Sequence, residues 1–150
     1  MAVIEYARNV KKMRYANSTE ISEKCKDPVI DLMTSQKEII NMGGTMRLGA
    51  WDCEIEKNTK SYKSYKKKLI SERHRHRYEF NNNYTDKIFD DKFIIAGSNP
   101  ETKLVEIVEN IDHPWFVGVQ FHPEYKSSVY NPHPIFVNFV KASLKNYLNK

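Results

Sequence analysis

The chain has 150 residues and a mass of 17.7 kDa, which is the size of one domain. Hydrophobic residues make up 40% of it and aromatic residues 12%, enough to form a buried core, and this composition excludes an intrinsically disordered segment. The 24 Lys and Arg outnumber the 19 Asp and Glu and give a net charge of +5, which we interpret as a solvated, lysine-rich surface.

The sequence indicates neither a membrane anchor nor a secretory signal. No run of 18 or more apolar residues occurs, and residues 1–8 lack the basic segment and the long apolar stretch of a signal peptide. The two cysteines, Cys25 and Cys53, have no Cys-x-x-Cys spacing and fit a reducing compartment better than a disulfide or a zinc site. We therefore expect a soluble, cytoplasmic protein with no metal centre and no membrane partner.

The first element is an amphipathic helix predicted over residues 1–14, where Val3, Ile4, Ala7 and Val10 recur at helical spacing. A helix usually follows a Ser, Thr, Asp or Asn whose side chain caps its first N–H groups, and no such residue precedes this one. This pattern is typical of a helix whose beginning is missing.

Strands are predicted where residues alternate in polarity or are continuously apolar between turn residues. These segments are residues 28–33, 45–55, 92–96, 104–108 and 115–121. The second, a strand or hairpin arm, is opened by Gly43 and Gly44. The last is apolar on both faces, which is typical of a strand covered on both sides.

Helices and turns are predicted between and after these strands. Residues 59–68 are polar and predict a surface helix or loop, while the asparagines at 81–83 predict a turn or helix start. A final helix is predicted over residues 134–148, with an apolar stripe made of Ile135, Phe136, Phe139, Val140, Leu144 and Leu148. Strands and helices mix without a repeat or a linker, so we predict an α/β unit.

The sequence Gln-Phe-His-Pro-Glu at 120–124 carries the sharpest chemical signal. It follows the apolar strand directly, so His122 and Glu124 are expected on the same side, with Pro123 stiffening the bond between them. A carboxylate beside an imidazole accepts the Nδ1 proton and stabilises the imidazolium. Such a pair forms the base and the orienting group of a nucleophilic triad. Alternatively, both side chains only hydrogen-bond to nearby loops.

Segments covering nearly the whole chain resemble, in the same order, the glutaminase domain of class I glutamine amidotransferases, and more narrowly the CTP synthase family. They are AVIEYARN at 2–9, ANSTE at 16–20, MGGTMRLG at 42–49, ERHRHRYE at 72–79 and DHPWFVGVQFHPE at 112–124. The resemblance implies that residues 1–150 are the carboxy-terminal portion of an α/β, flavodoxin-like amidotransferase domain. The amino-terminal strands, the nucleophile elbow and the synthetase domain of the family would then be absent.

The resemblance also implies roles for individual residues. His122 and Glu124 fall on the base and the orienting carboxylate of a Cys-His-Glu triad. Glu20 falls on the residue that contacts the amino group of bound glutamine, and Arg77 falls on the arginine that holds its α-carboxylate, both of which suit the charges involved. From the residues alone, Glu20 could equally begin a helix or lie in solvent, and Arg77 could belong to a basic surface.

Arg47 and the arginines near Arg77 admit other roles. In the family, the segment containing Arg47 lies near the synthetase interface and is tied to activation by GTP, which implies an effector or interface role, although its glycines could serve only a tight turn. The alternating Arg and His at 73–77 could line a phosphate groove, with Tyr78 and Phe80 as stacking platforms. No nucleic-acid module signature accompanies them, so no nucleic-acid partner is expected.

The nucleophile of the family is absent from the sequence. In the family, a Gly-x-Cys-Leu-Gly-Met-Gln turn stands directly before the helix that begins here at Met1. Cys25 lies between two lysines that favour a thiolate but has no nearby glycine for the sharp turn, and Cys53 lies between Asp52 and Glu54, which disfavour one. We therefore expect the chain alone to be catalytically inactive and poorly stable.

For the intact enzyme, the resemblance implies hydrolysis of glutamine to supply ammonia for the ATP-dependent amination of UTP to CTP in pyrimidine biosynthesis. ATP and Mg²⁺ would bind the synthetase domain, GTP would act as an activator, and the enzyme would form a homotetramer. The chain itself would hold no cofactor. The alternative is a non-catalytic binding or regulatory module that keeps the amidotransferase shape for docking to a synthetase-like partner.

Overall fold

A computed structural model of the protein describes residues 1–32 and 46–149. The described residues fall into two units: unit 1, within residues 1–48 and 75–90, and unit 2, within residues 49–74 and 91–150. Helices and strands occur in both units, in agreement with the α/β prediction. Each helix in these ranges is too short or too polar to traverse a lipid bilayer.

Unit 1 contains a three-stranded sheet of strand order β1-β2-β5. Its strands are β1, Ala16–Ser18; β2, Asp27–Leu32; and β5, Tyr78–Phe80. β1 runs parallel to β2 with Ser18 opposite Ile30, and β5 runs antiparallel to β2 with Tyr78 opposite Leu32. The strand predicted at 28–33 is confirmed as β2, with Met33 outside the described residues. No pattern in the sequence predicts the short strand β1.

The first helix, α1, spans Ala2–Asn9 and is therefore shorter than the predicted helix at 1–14. The N–H groups of Val10 and Lys11 both donate to the Tyr6 carbonyl, and Lys12 adopts a left-handed φ of 61°, which ends the helix. Met1 occupies the N-cap position without a capping side-chain hydrogen bond. The buried face of α1 consists of Val3, Ile4, Tyr6 and Ala7.

The segment after β5 turns as its asparagines predict. A 3₁₀ helix at Asn82–Tyr84 leads into a short helix, α3, at Thr85–Ile88. The Asn81 side chain caps this turn by accepting the Asn83 N–H at 3.1 Å. Ile88 is fully buried and fixes the segment to unit 1.

Unit 2 is built on a five-stranded sheet of order β4-β3-β6-β7-β8. Its strands are β3, Arg47–Ile55; β4, Leu69–His76; β6, Phe93–Ser98; β7, Val105–Asn110; and β8, Val117–Val119. β3 and β4 each carry residues of both units. The core of the sheet consists of Cys53, Ile55, Ile70, Ala96, Ile107 and Phe121.

Residues 59–68, predicted to form a surface helix or a loop, contain the helix α2, Lys60–Tyr65. Thr59 caps it by accepting the Tyr62 N–H at 3.0 Å. The buried Glu109 carboxylate on β7 adds a second cap, because it accepts the N–H groups of Lys60 and Ser61 at 2.8 and 2.7 Å. A carboxylate at this position also complements the positive end of the helix dipole.

The final helix, α4, spans Pro134–Leu148, which are the predicted bounds. Pro134 suits the first helical position because it has no N–H to leave unpaired, and the His133 side chain caps the helix by accepting the Ile135 N–H at 3.3 Å. The predicted apolar stripe is mostly exposed. Ile135 is its buried member, whereas Phe139 and Leu144 are 53% and 55% exposed.

The prediction of a fully covered strand at 115–121 is wrong. The regular strand β8 contains only Val117–Val119, it ends the strand order of the sheet, and its residues are half-buried. The pairing with β7 continues briefly past the strand, since the Gln120 N–H donates to the Glu106 carbonyl at 2.9 Å. Phe121 then enters the core, and the chain turns towards β4.

Candidate active site

His122 and Glu124 lie in the turn that follows β8. The His122 backbone N–H donates to the Arg73 carbonyl on β4 at 2.9 Å, and a 3₁₀ helix begins at Pro123. His122 Nδ1 lies 2.7 Å from Glu124 Oε1. The two side chains therefore meet as predicted, although a turn held on β4 brings them together and not the alternation of a strand.

This contact leaves one imidazole nitrogen available for proton transfer. When Nδ1 donates its proton to the Glu124 carboxylate, Nε2 of the neutral ring carries a lone pair and can accept a proton. The His122 side chain is 36% exposed, and the Tyr125 ring stacks on it with a centroid distance of 5.2 Å and an interplanar angle of 26°. The ring is therefore fixed at one edge and one face.

The electrostatics of the pair favour an ionised carboxylate. Partial desolvation acts to raise the pKa of Glu124, but hydrogen bonds from its own backbone N–H and from His122 outweigh it and hold the pKa below its ordinary value. Glu124 is thus an acceptor at neutral pH and can stabilise a positive charge on His122.

Glu20 and Arg77 lie at the same end of the unit 1 sheet. Glu20 is exposed in the turn after β1, and its N–H donates to Ser18 Oγ at 3.2 Å. Arg77 is exposed immediately before β5, whose first residue pairs with Leu32. The strand β2 lies between β1 and β5, so Glu20 and Arg77 follow and precede two strands that flank β2. Long side chains at these positions can approach a small zwitterion from two sides.

Arg47 is buried inside unit 1 and faces Glu79. Its Nη1 lies 3.4 Å from Glu79 Oε2, and its side chain is 4% exposed. His76 Nδ1 lies 3.7 Å from the other oxygen of the same carboxylate. Residues 42–45 of the segment that contains Arg47 lie outside the described residues, so the effector role of Arg47 remains a prediction.

The two cysteines lie in different units. Cys53 is fully buried in the unit 2 core, where an added Cβ at Gly97 would lie 2.8 Å from its Sγ. Cys25 is half-buried in the turn between β1 and β2 of unit 1. Neither cysteine stands at a strand-to-helix turn.

A buried polar cluster, which the sequence did not predict, lies behind the His122 turn. The Tyr65 hydroxyl donates to Glu72 Oε1 at 3.0 Å, and His133 Nε2 lies 3.1 Å from the same oxygen. Burial and the Glu72 charge raise the pKa of the Tyr65 hydroxyl, so it stays protonated as a donor. Two signals could have indicated the cluster: the inward position of Glu72 in the alternating strand β4, and the Pro-His-Pro sequence before α4.

The structure thus brings His122 and Glu124 into contact and places Glu20 and Arg77 at one end of the same sheet. Glu20 and Arg77 belong to unit 1, and His122 and Glu124 belong to unit 2. Their combined role in one site remains a prediction.

The chain matches the family model described as Glutamine amidotransferase class-I over residues 1–142. It is 59% identical over 143 residues to the CTP synthase of Christiangramia forsetii, a match that covers 95% of this chain and 26% of the relative. It is 54% identical over 145 residues to the CTP synthase of Clostridium kluyveri, covering 97% of this chain and 27% of that protein. The chain therefore spans about a quarter of the length of these curated relatives.

Among solved structures, the glutaminase domain of Trypanosoma brucei CTPS with bound acivicin matches with a TM-score of 0.88 and 37% identity, covering 96% of this chain and 56% of that one. The sequence-based expectations of an α/β amidotransferase fold and of a resemblance to CTP synthases are confirmed by these similarities.

Proposed function

Because this chain belongs to the class I glutamine amidotransferase family, we propose that it supplies the base, the orienting carboxylate and the substrate clamp of a glutamine-hydrolysing site. The observation that carries the proposal is the 2.7 Å contact between His122 Nδ1 and Glu124 Oε1 in a chain that matches the family over residues 1–142. In this arrangement the unprotonated Nε2 of His122 takes the proton of a cysteine thiol.

The reaction follows from that proton transfer. The thiolate attacks the side-chain amide carbon of glutamine, and the imidazolium of His122 returns the proton to the leaving nitrogen, so ammonia departs and a thioester remains. Water, activated by the same imidazole, then hydrolyses the thioester to glutamate and regenerates the thiol. Glu124 holds the His122 ring in one orientation and stabilises its charged form in both halves of the reaction.

Substrate binding is assigned to the exposed charges of unit 1. The Glu20 carboxylate complements the α-ammonium of glutamine, and the Arg77 guanidinium can bind the α-carboxylate through two parallel hydrogen bonds. Their location at one end of the same sheet supports this assignment, since the two charged groups of an amino acid are bonded to one carbon.

The nucleophile in this proposal is neither Cys25 nor Cys53. Cys53 is fully buried in the core of unit 2, where the thiolate is disfavoured, and Cys25 lies in the turn between the strands β1 and β2 and not at the start of a helix. A third cysteine, from another part of the whole protein, would supply the thiol. We therefore propose that the 150-residue chain alone releases no ammonia from glutamine.

The identity of the relatives extends the proposal to the whole protein, of which this chain would be one part. That protein would pass ammonia to a cytoplasmic synthetase site that uses ATP and Mg²⁺ to aminate UTP to CTP. GTP activation through Arg47 and assembly as a homotetramer belong to the same proposal. ATP and Mg²⁺ are not assigned to residues of this chain.

A segment-swap enzyme tests the glutaminase proposal. In it, the 143 matching residues of the Christiangramia forsetii CTP synthase are replaced by the corresponding residues of this chain. We expect glutamine-dependent ammonia release, reduced roughly 10²- to 10⁴-fold by His122→Ala and less by Glu124→Gln, because the first change removes the base and the second removes only its orienting charge. Glu20→Gln and Arg77→Met should instead raise KM for glutamine, because each removes one half of the clamp.

Glu101→Gln is the matched control, because it makes the same chemical change at an exposed carboxylate in unit 2 and should leave hydrolysis unchanged. Full hydrolysis by the His122→Ala variant would contradict the proposal. The purified 150-residue chain is assayed in parallel. Ammonia release by that chain, abolished by His122→Ala, would show that one of its own cysteines is the nucleophile.

A further inference from the structure

The buried cluster of Tyr65, Glu72 and His133 joins three elements that are distant in the sequence. Tyr65 ends α2, Glu72 lies on β4, and His133 caps α4. All three contacts converge within 3.2 Å: Tyr65 hydroxyl to Glu72 Oε1 at 3.0 Å, His133 Nε2 to the same oxygen at 3.1 Å, and Tyr65 hydroxyl to His133 Nε2 at 3.2 Å. Glu72 and His133 are each 3% exposed.

The helix cap determines which nitrogen of His133 carries the proton. His133 Nδ1 accepts the Ile135 N–H, so in the neutral ring the proton is on Nε2, which then donates to Glu72 Oε1. The tautomer that caps α4 is therefore the one that binds Glu72. One carboxylate oxygen here accepts from two buried donors, Tyr65 and His133, and its negative charge strengthens both hydrogen bonds.

The part of β4 around Glu72 also binds the turn that contains His122 and Glu124. The Arg73 carbonyl accepts the His122 N–H, and the Ser71 carbonyl accepts the Lys126 ammonium group. Lys126 Nζ lies 4.0 Å from Glu72 Oε2, so Glu72 attracts the end of the turn as well.

The segment from His122 to His133 is thus attached to β4 at its start, at Lys126 and at its end. The end is further fixed because the His133 N–H donates to Ser127 Oγ at 3.0 Å. Glu72 is the side chain that two of these attachments share.

We infer that Glu72 and His133 are positioning residues of the glutaminase site, which hold the 122–133 segment so that His122 and Glu124 keep their 2.7 Å contact. This inference rests on the proposed function. Neither residue touches the reacting atoms. Without the cluster, the segment would keep its backbone attachments at His122 and Lys126 but lose the one at His133 and the Glu72 charge beside Lys126. The imidazole would then sample orientations in which Nε2 is misaligned with the thiol.

The segment-swap enzyme tests this inference through two variants, each of which keeps part of what the native side chain does. Glu72→Gln retains the shape but loses the charge. His133→Asn retains the cap of α4, because Asn is a good N-cap residue, but is too short to bind Glu72. For both we expect kcat for glutamine hydrolysis to fall roughly 10- to 100-fold with little change in KM, since a misplacement of about 1 Å costs this much and the clamp lies in unit 1.

Two further measurements separate positioning from a loss of fold. CTP formation from added ammonium chloride, which bypasses glutamine, should be unchanged in both variants. In ¹⁵N spectra of the imidazoles, wild type should show the Nδ1–H tautomer of His122, and the variants should show a mixture of tautomers. Glu101→Gln again serves as the control for the Glu-to-Gln change.

The outcomes are distinct. Wild-type kcat in Glu72→Gln or in His133→Asn would overturn the positioning role. If both variants also lose ammonia-dependent CTP formation, the Tyr65→Phe variant is used instead, because it removes only a hydroxyl. An unchanged kcat for glutamine hydrolysis in that variant would overturn the inference. A fall in this kcat with unchanged ammonia-dependent CTP formation would support it. The proposed function would instead be refuted if the unsubstituted segment-swap enzyme hydrolysed no glutamine, or if His122→Ala left its glutamine hydrolysis unchanged.

Discussion

The carboxylate of Glu109 is predicted to be a principal stabilising group of unit 2. It is fully buried and accepts three hydrogen bonds at the start of α2: from the Lys60 N–H at 2.8 Å, the Ser61 N–H at 2.7 Å and the Ser61 hydroxyl at 2.6 Å. α2 packs against α4 and carries Tyr65. The perturbation is Glu109→Gln, which keeps the size of the side chain but turns one acceptor into an amide donor.

The cost of this change follows from the three contacts. If the Gln oxygen keeps the two Ser61 bonds, the amide group faces the Lys60 N–H, so one charged hydrogen bond is lost and two donors point at each other. A hydrogen bond to a charged group contributes about 1.5–3 kcal/mol, and two others weaken when the charge disappears. We expect the free energy of unfolding to fall by about 3 kcal/mol. Ser61→Ala, which removes one donor, should cost about 1 kcal/mol.

Urea unfolding of the segment-swap enzyme, followed by its tryptophan fluorescence, measures both changes as shifts of the midpoint. Glu101→Gln is the control and should leave the midpoint where it is. The reasoning is refuted if Glu109→Gln lowers the free energy of unfolding by less than Ser61→Ala does. It is also refuted if the two changes add fully in the double variant, because residues that share hydrogen bonds should be coupled.

Two further predictions concern the site and the core. The pKa of Glu124 is lower in the folded state than in the unfolded state, so its contribution to stability is present above the unfolded pKa and is lost as pH falls through the folded pKa. The difference in stability between wild type and Glu124→Gln should therefore shrink on acidification. Urea midpoints measured against pH would contradict this if the difference grew. Cys53→Ala should leave ammonia release by the segment-swap enzyme unchanged, because the thiol is a core group; a loss of turnover with unchanged urea stability would instead assign the nucleophile to Cys53.

The sequence predicted elements well where their signals were local. α4 has its predicted bounds because Pro134 and the preceding His133 form a complete helix start within two residues. β6 and β7 follow the alternation of their residues, with ends displaced by one or two positions. The helix at residues 1–14 was overestimated because apolar spacing continues to Val10, whereas the left-handed conformation of Lys12 leaves no mark in that spacing.

Other features depend on contacts that no local pattern records. The apolar stripe of α4 was predicted from periodicity, but periodicity shows only that a helix has an apolar side, and most of that side is exposed. In the cluster of Tyr65, Glu72 and His133, His133 contacts one residue that is 61 positions away in the sequence and another that is 68 positions away. The meeting of His122 and Glu124 was predicted correctly from their spacing, yet the cause is the attachment of the turn to Arg73, 49 positions earlier in the sequence.

The stacking of Tyr125 on His122 has an entropic consequence. An exposed histidine ordinarily rotates about two side-chain bonds, and fixing such a side chain costs about 1 kcal/mol of conformational entropy. Here Glu124 holds one ring edge and Tyr125 covers one face. This loss of freedom is incurred once, when the chain folds, and not in every turnover, so the free energy of folding contributes to the rate of proton transfer at Nε2.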